Sequence, residues 1–322
     1  MLTIKYNLLL FKISYILYNA HYSLQYYNGS ATIDWEKIDD TMPADEVNYI
    51  LHTRDLAVGE LYDRDNGFKS YKKEKRTKIL IHGFGESPAK SFAIPMLRKA
   101  YLQICDCNVI EVDWSKWAAE PYYYEAARNT QRIGHTVGEF LLSLGTNLST
   151  TELIGYSLGG HVAGKAGMIT GSRVSRIIAL DPAYPLFGES PARYRLDATD
   201  ANIVEVVHTS GGTLGFSRPI GLRDLYANGG QHPQPGCGTL DVFCSHRRAF
   251  LYYSEALLSH GRGFKARLCT SHEDYQLGGC KGPFLALANH NADKTRKGNF
   301  YFDTNSKSPF GKYRSSSLKL AS

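Results

Sequence analysis

The sequence predicts an α/β protein with a mostly parallel central sheet flanked by helices. From residue 78 onward, short apolar runs of strand length alternate with longer segments that have helical periodicity. This alternation is typical of parallel strands joined by helices that cover both faces of one sheet. Hydrophobic residues make up 43% and charged residues 21% of the 322 residues. That composition is globular and excludes a disordered or collagen-like chain.

The predicted elements follow one another from the first buried run. Strands are predicted at 78–82, 108–113, 151–155, 175–180 and 203–208, with helices near 90–103, 122–145 and 158–170. In the middle helix, apolar residues recur at spacings of three, four and seven: Ala126, Ile133, Val137, Phe140, Leu141 and Leu144. Residues 210–245 are rich in Gly and Pro without sustained periodicity, so they are predicted to form a long functional loop.

One large domain is predicted over residues 31–322, since the last forty residues are too few for a second one. Residues 1–30 are set apart as an N-terminal segment. The apolar run 8–11 resembles the start of a signal-peptide core, although Lys12 interrupts it and no small-residue cleavage site follows. Glycosylation sequons at Asn28 and Asn147 add weak support for secretion.

The positive charge of the chain is local. Residues 281–322 hold eight Lys and Arg against two Asp, and this difference equals the whole net charge of +6. A basic tail at about 312–322 suits an anionic lipid surface or is simply a solvated end. No basic motif with interleaved aromatic residues accompanies it, so a nucleic-acid partner is not predicted.

The six cysteines suit a secreted protein with two or three disulfides. Cys237 and Cys244 flank six residues, and Cys269 and Cys280 flank ten, so each pair can close a short loop. A third pair, Cys105 and Cys107, would have Cα atoms about 6.6 Å apart in an extended chain, at the limit of a disulfide. A disulfide within a turn and two free thiols therefore both stay open.

A nucleophile is predicted where the third strand ends. Residues 155–159 read Gly-Tyr-Ser-Leu-Gly, the pattern G-x-S-x-G, between a predicted strand and a predicted helix. In the α/β-hydrolase fold this context holds a catalytic serine on a sharp turn, here Ser157, and glycines two residues away on either side avoid a collision. The alternative is a glycine-rich turn with an exposed serine.

A serine hydroxyl needs a base, and the base needs a carboxylate that orients it. In this fold the chain order is Ser, then Asp or Glu, then His. Asp181 directly follows a predicted strand, where such sheets place catalytic groups, although an Asp capping the turn before Pro182 is the alternative. His246 is the predicted base, because it follows the long loop and opens an apolar-periodic helix beside a predicted disulfide. Chain order argues against His82 and His161, which precede or flank the nucleophile. His208 ends a predicted strand and is interpreted as a hydrogen-bonded structural histidine.

An oxyanion formed at this serine needs two amide donors. The amide of Leu158, directly after the serine, is the first. The second is predicted in the loop His82-Gly-Phe-Gly85 after the first buried strand, at the amide of Phe84. An ordinary turn at the end of a strand is the alternative for this loop.

These residues resemble the animal pancreatic-lipase family, and more closely its insect-type lipases and phospholipases A1. The resemblance covers about residues 30–312. It implies the α/β-hydrolase fold, a triad of Ser157, Asp181 and His246, and oxyanion donors at Phe84 and Leu158. Seven motifs occur in order: Ile-His-Gly-Phe at 81–84, Val-Asp-Trp at 112–114, Gly-Tyr-Ser-Leu-Gly at 155–159, Ala-Leu-Asp-Pro at 179–182, Val-Val-His-Thr at 206–209, Asn-Gly-Gly at 228–230 and Cys-Ser-His at 244–246.

The chain departs from the family pattern in three main respects. In fuller lipases a disulfide-bounded loop forms a long lid, but here that loop has only residues 238–243. Within this family, a short lid implies phospholipase A1 or galactolipase activity. The family's lipid-binding C-terminal β-sandwich is not expected, and neither is colipase as a partner. Of the calcium loop, Arg195, Asp197 and Asp200 match, but Ala192 stands in place of a carboxylate. No metal is therefore predicted.

The resemblance and the residues together predict a secreted serine esterase that hydrolyses carboxylic esters of lipids. Its expected activity is phospholipase A1-like and proceeds through an acyl-enzyme without a cofactor. The expected partners are a lipid ester at an interface and the surface of a membrane or lipid particle. A triacylglycerol lipase is the alternative among enzymes. A non-catalytic lipid-binding or yolk-type protein is the alternative outside them, and the presence of all three triad residue types disfavours it.

Overall fold

A computed structural model of the protein describes residues 32–38, 47–56, 58–119, 121–289 and 295–313. The chain divides into two compact units, residues 1–37 and 38–322. In the first unit, the described residues contain one short 3-10 helix, Trp35–Lys37. The predicted signal-peptide segment and residues 314–322 of the basic tail lie outside the described residues. The predicted domain boundary at residues 30 and 31 stays a prediction.

The second unit is built on one sheet, in which 11 strands are described, in the spatial order β10-β9-β11-β8-β7-β6-β5-β3-β4-β1-β2. The seven central strands, from β11 to β4 in that order, pair in parallel. The outer strands pair antiparallel. The strands are β1 (Asn48–His52), β2 (Glu60–Leu61), β3 (Thr77–Ile81), β4 (Asn108–Asp113), β5 (Thr151–Tyr156), β6 (Arg176–Leu180), β7 (Val204–His208), β8 (Arg223–Ala227), β9 (Lys265–Leu268), β10 (Phe284–Ala286) and β11 (Gly298–Phe302).

The described helices are α1 (Ala93–Ile104), α2 (Tyr123–Leu144), α3 (Leu158–Ile169), α4 (Val242–Leu258) and α5 (His272–Gln276). Helix α1 packs against α4, and α2 packs against α3. Every residue of β3, β5, β6 and β7 is buried, as expected of parallel strands covered on both faces. Among the described residues, no helix is long and apolar enough to cross a membrane.

The prediction of a long loop over residues 210–245 is wrong in part. This stretch contains β8, which pairs in parallel with β7 and β11, and the first residues of α4. The strand has the sequence Arg-Asp-Leu-Tyr-Ala, so its first two residues are charged and hide the apolar pattern. Both charged side chains have partners inside the fold, because Arg223 pairs with Glu205 and Asp224 lies 2.8 Å from Nε2 of His208.

A row of buried charges crosses the sheet at the amino ends of five adjacent strands. The signs alternate along the row, from Lys78 on β3 through Glu152, Arg176 and Glu205 to Arg223 on β8. Lys78 lies 2.7 Å from Glu152, and Glu205 accepts from Arg176 at 2.9 Å and from Arg223 at 2.7 Å. The opposite edge of the sheet, where the parallel strands end, carries the predicted catalytic residues.

Candidate active site

Ser157 lies on a sharp turn between β5 and α3. Its φ of 55° and ψ of −122° are unusual for a residue with a side chain and are maintained only where the surroundings enforce them. The Ser157 amide donates to the carbonyl of Leu180 at 3.1 Å, and its carbonyl accepts from the amide of Ala183 at 3.3 Å. The turn is thus anchored to the end of β6, which carries the neighbouring catalytic candidate.

Two glycines permit this turn, as the sequence predicts. A Cβ atom on Gly155 would lie 2.2 Å from the carbonyl oxygen of Gly159. A Cβ atom on Gly159 would lie 2.3 Å from the carbonyl oxygen of Ile81. Neither distance leaves room for a carbon atom, so the backbones of β3, β5 and α3 meet only because both positions lack a side chain.

Asp181 and His246 form a buried pair. The Nδ1 atom of His246 lies 2.6 Å from Oδ2 of Asp181. The amides of Thr209 and Ser210 donate to Oδ1 at 2.8 and 3.1 Å, and the Ser210 hydroxyl donates to Oδ2. Burial acts to raise the pKa of Asp181, but the hydrogen bonds from His246, Ser210 and Thr209 outweigh it and hold that pKa below its ordinary value. Asp181 is therefore an ionised acceptor at neutral pH.

This pairing sets the tautomer of His246. Because Nδ1–H donates to the carboxylate, the lone pair of Nε2 is available to take a proton. His246 lies near the start of α4, where the Asp241 side chain caps the helix by accepting from the amide of Cys244 at 2.9 Å. The Ser157 hydroxyl makes no hydrogen bond to another described residue. The structure thus joins Asp181 to His246 but does not join His246 to Ser157 by a hydrogen bond.

Two residues that the sequence did not single out as site residues contact the pair. Ser210 donates to Asp181, and its hydroxyl oxygen lies 3.4 Å from Nδ1 of His246. The ring of Tyr156, the residue before the predicted nucleophile, lies 4.8 Å from the His246 ring between centroids. The only sequence signal for Ser210 is its place two residues after the end of β7. The signal for Tyr156 is its place inside the G-x-S-x-G pattern.

The two predicted oxyanion donors belong to different segments, one directly after Ser157 and one in the loop that approaches it. Leu158 is the first residue of α3. Phe84 follows Gly83, where an added Cβ atom would lie 3.0 Å from Cβ of Ser157. Neither amide, at Phe84 or at Leu158, donates to any other residue that the structure describes.

The other candidate histidines have both ring nitrogens engaged. Nε2 of His161 donates to the carbonyl of Ala183 at 2.7 Å, and Nδ1 accepts from the amide of Leu196 at 3.1 Å. Burial lowers the pKa of His161 to about 3, so this ring is neutral. Protein groups likewise contact both ring nitrogens of His82 and of His208, the latter as the predicted structural histidine.

Three disulfides are present in the structure. Cys237 is bonded to Cys244 and Cys269 to Cys280, as the spacing predicts. Cys105 and Cys107 are also bonded, across a Cα–Cα distance of 5.6 Å, so the open alternative of two free thiols is not what the structure shows.

The short loop between Cys237 and Cys244 is held from outside by His232. Its Nε2 donates to the carbonyl of Thr239 at 2.8 Å, while its Nδ1 lies 2.9 Å from the hydroxyl of Ser245. Leu240, at the tip of this loop, is 97% exposed. The loop is therefore closed at its ends by the disulfide and held at Thr239 by His232.

The residues that resemble part of the family's calcium loop lie beside α3. Oδ2 of Asp200 accepts from the amide of Asp197 at 2.8 Å, and the Arg195 guanidinium lies 3.9 Å from the carboxylate of Asp197. Burial raises the pKa of Asp200 to about 7. Across the described ranges of the chain, no group of three or more His, Cys, Asp or Glu residues could hold a metal ion.

A serine on a strand-to-helix turn of a mostly parallel sheet, with an Asp–His pair at the same edge, is the arrangement of the α/β-hydrolase class. Within this class, a model of the Lipase family matches residues 60–310. The chain belongs to this family. A solved structure of a putative α/β-superfamily hydrolase from Xanthomonas campestris pv. campestris is a more distant likeness. It has 18% identity and a TM-score of 0.36, and the match covers 57% of this chain and 98% of that one.

Curated relatives agree with the family assignment. Lipase member H-A of Xenopus laevis is 33% identical over 83% of this chain and 64% of its own length. Pancreatic lipase-related protein 2 of Cavia porcellus is 35% identical over 64% of this chain and 49% of its own length. The chain thus spans about half to two thirds of the length of these relatives.

Proposed function

We propose that this protein is a secreted serine esterase that hydrolyses carboxylic esters of lipids with a phospholipase A1-like preference. The observation that carries the proposal is the buried hydrogen bond between Asp181 and His246 at the sheet edge where Ser157 sits in its strained turn. A neutral imidazole with a free Nε2 is the base that a serine nucleophile needs. Two amides without other partners supply the oxyanion donors.

The reaction follows from these groups. Ser157 Oγ attacks the ester carbonyl carbon while Nε2 of His246 takes its proton, and Asp181 stabilises the resulting imidazolium. The Ser157–His246 hydrogen bond is expected to form in the complex with substrate, since catalytic contacts commonly tighten there. The oxyanion accepts from the amides of Phe84 and Leu158. Its collapse breaks the ester bond, and His246 gives the proton to the leaving alcohol. Water, activated by His246, then releases the fatty acid.

The phospholipid preference rests on the short loop between Cys237 and Cys244. Only six residues lie between these cysteines, and His232 fixes the loop at Thr239. A loop of this length covers little of the site, so a polar head group beside the reacting ester stays in water. A triacylglycerol lipase is the competing proposal, because its substrate is apolar on all sides and benefits from a larger apolar cover.

Contact with a lipid surface is proposed at the same edge of the sheet. Phe92, Tyr122 and Leu240 are exposed, and they follow the carboxyl ends of β3, β4 and β8. Parallel strands end at one edge, so these three side chains lie on the side of the molecule that carries Ser157. Single exposed apolar residues are common, but three around one site suit docking on a membrane or lipid particle.

The test combines a nucleophile variant with two substrates. Ser157→Ala is expected to lower kcat on phosphatidylcholine vesicles by at least about three orders of magnitude, and to abolish covalent labelling by a serine-reactive phosphonate. Ser143→Ala, at an exposed serine of α2, is the matched control and is expected to behave as wild type. The measurements are initial rates on phosphatidylcholine and on triolein emulsion, together with mass spectrometry of the labelled protein.

Each outcome bears on a different part of the proposal. Hydrolysis retained by pure Ser157→Ala protein would contradict the assigned nucleophile. Faster turnover of triolein than of phosphatidylcholine by the wild type would replace the phospholipase preference with the lipase alternative. Wild-type protein that is neither labelled nor active would point to the non-catalytic lipid-binding alternative.

A further inference from the structure

We infer that Glu86 is a positioning residue for the oxyanion hole, because its carboxylate fixes the loop that presents the amide of Phe84. The inference rests on the proposed function. Oε2 of Glu86 accepts from the amide of Gly83 at 3.1 Å and from the hydroxyl of Ser91 at 3.0 Å. Gly83 is the residue whose Cα faces Ser157. The carboxylate therefore holds the loop at the point nearest the nucleophile.

The amides on either side of Phe84 are both occupied. The Gly83 amide donates to Glu86, and the Gly85 amide donates to the carbonyl of Ala118 at 2.7 Å. The amide of Phe84, between them, has no partner among the described residues. The two occupied amides restrain the backbone on both sides of the Phe84 N–H.

The orientation of the Phe84 amide follows from peptide geometry. Nδ1 of His82 lies 2.9 Å from the carbonyl oxygen of Gly83 and donates to it. In a trans peptide the carbonyl and the following N–H point in opposite directions, so this bond aims the Phe84 N–H away from His82. The preceding peptide is held at both ends, because the His82 carbonyl accepts from the Trp114 indole at 3.0 Å and the Gly83 amide donates to Glu86. Among the residues that the structure describes, Glu86 is the only side chain that accepts from the Gly83 amide.

Ser91 connects this clamp to α1. Its hydroxyl oxygen accepts from the amides of Ala93 and Ile94 at the start of the helix, at 3.1 and 3.3 Å. The same hydroxyl donates a hydrogen bond to Glu86. The Glu86 side chain is thus itself fixed by a rigid element. A negative carboxylate near an oxyanion is electrostatically unfavourable. Glu86 therefore contributes to catalysis by accepting hydrogen bonds and not by its charge.

This distinction gives a sharp experiment. Both donors converge on one oxygen, and the single amide oxygen of Glu86→Gln can accept both. Glu86→Gln is therefore expected to keep kcat within about threefold of wild type, whereas Glu86→Ala lowers kcat about 10- to 100-fold with little change in KM, less than the complete loss of one donor. Glu86→Asp keeps the charge but is one methylene too short, and it is expected to be worse than Glu86→Gln. Lys90→Ala, an exposed charge in the same loop, is the control.

The rates are measured on phosphatidylcholine and divided by the active sites titrated with phosphonate, so that unfolded protein does not count. A trifluoromethyl ketone, which forms a tetrahedral oxyanion on the serine, is expected to lose the same factor in affinity as kcat loses in Glu86→Ala. A non-hydrolysable ether phospholipid is expected to bind unchanged. A purely structural role would lower the number of titrated sites and leave the rate of each site unaltered.

Several results would overturn the inference. One is a rate per site of Glu86→Ala within twofold of wild type. Another is a Glu86→Gln variant as impaired as Glu86→Ala. The third is a higher kcat for Glu86→Asp than for Glu86→Gln. If Glu86→Ala does not fold, the comparison of the Gln and Asp variants still decides. Wild-type protein that takes up no phosphonate would overturn the proposed function, and the role of Glu86 with it. An active wild type with an indifferent Glu86 would overturn the inference alone.

Discussion

Two buried side chains near α3 are expected to shape the pH dependence of stability in opposite directions. His161 has its pKa lowered to about 3 by burial, so below about pH 6.5 the unfolded chain binds a proton that the folded chain does not. Stability from this residue is lost as the pH falls. Asp200 has its pKa raised to about 7 by burial, so between about pH 4 and 7 the folded chain holds the extra proton. Stability from this residue is lost as the pH rises.

Asp200→Asn removes one of these two contributions. Between pH 6.5 and 4.5 the wild type gains stability from protonation of Asp200, and the variant does not. Relative to wild type, the variant is expected to lose about 1.4 kcal/mol of unfolding free energy for each pH unit of acidification. Urea unfolding of both proteins at the two pH values measures this difference. Asp65→Asn, at an exposed carboxylate, is the control, and parallel profiles for Asp200→Asn and wild type would contradict the prediction.

The alternating charges at the amino ends of β3 and β5 to β8 act between elements. Lys78 and Glu152 are register partners on β3 and β5, and Glu205 and Arg223 are partners on β7 and β8. Each charge is buried, so a shift of one strand by one residue would move a charge away from its partner and into an apolar layer. The row thus penalises wrong registers in a sheet whose apolar strands are otherwise similar to one another.

Glu205→Gln tests the row at its most connected point. This substitution leaves the buried guanidinium groups of Arg176 and Arg223 without their shared carboxylate, and it is expected to reduce the free energy of unfolding by about 3–5 kcal/mol. The matched control is Glu125→Gln, which breaks an exposed pair with Arg128 on α2 and is expected to cost less than about 1 kcal/mol. Urea unfolding measures both. Equal, small losses in the two variants would show that the row does not contribute.

The elements that the sequence predicts correctly are those with a local signature. Strands β3 to β7 each contain a short group of Ile, Leu or Val residues beside their polar ones, and the turn at Ser157 is visible because its glycines are close in sequence. Strand β8 was missed because its two charged residues find their partners on β7, a pairing that the sequence does not reveal. Strands β1, β2 and β9 to β11, which flank the strands named above on both sides of the sheet, were not predicted either.

In the candidate site, too, the sequence predicts the residues with a local signature and misses those defined by contacts between separate segments. Ser157 and Asp181 each follow a strand directly, so their approach is implied by strand order. Ser210, Tyr156 and Glu86 act through contacts that exist only once separate segments have packed. For Glu86 the sequence offers no more than its place three residues after Gly83, because the convergence of two donors on one oxygen depends on the path of the loop.

At the scale of the whole molecule, Asn147 bears on the proposal of secretion. It is exposed, between α2 and β5, and its side-chain oxygen accepts from the amide and the hydroxyl of Ser149 at 3.1 and 2.8 Å. This position is at the amino edge of the sheet, opposite to Ser157. A glycan there would leave the catalytic edge free.

Protein secreted from eukaryotic cells is accordingly expected to carry an N-linked glycan at Asn147, since an exposed Asn-x-Ser in a secreted protein is an acceptor. Asn147→Gln and Ser149→Ala are expected to lose this glycan, while Ser149→Thr keeps it and the hydrolytic rate stays unchanged in all three. Mass spectrometry of the glycopeptide after enzymatic deglycosylation is the measurement. A secreted protein with unmodified Asn147 would contradict the prediction.

The loop between Cys237 and Cys244 has a consequence for how the protein would meet its substrate. The loop is closed by a disulfide, and the His232 side chain donates to the Thr239 carbonyl. These two restraints oppose a large movement of the loop. A catalyst whose surface loop does not move needs no oil–water boundary to switch it on. Its rate would rise smoothly with the concentration of dispersed single ester molecules and pass through the onset of micelle formation without a lag or a jump.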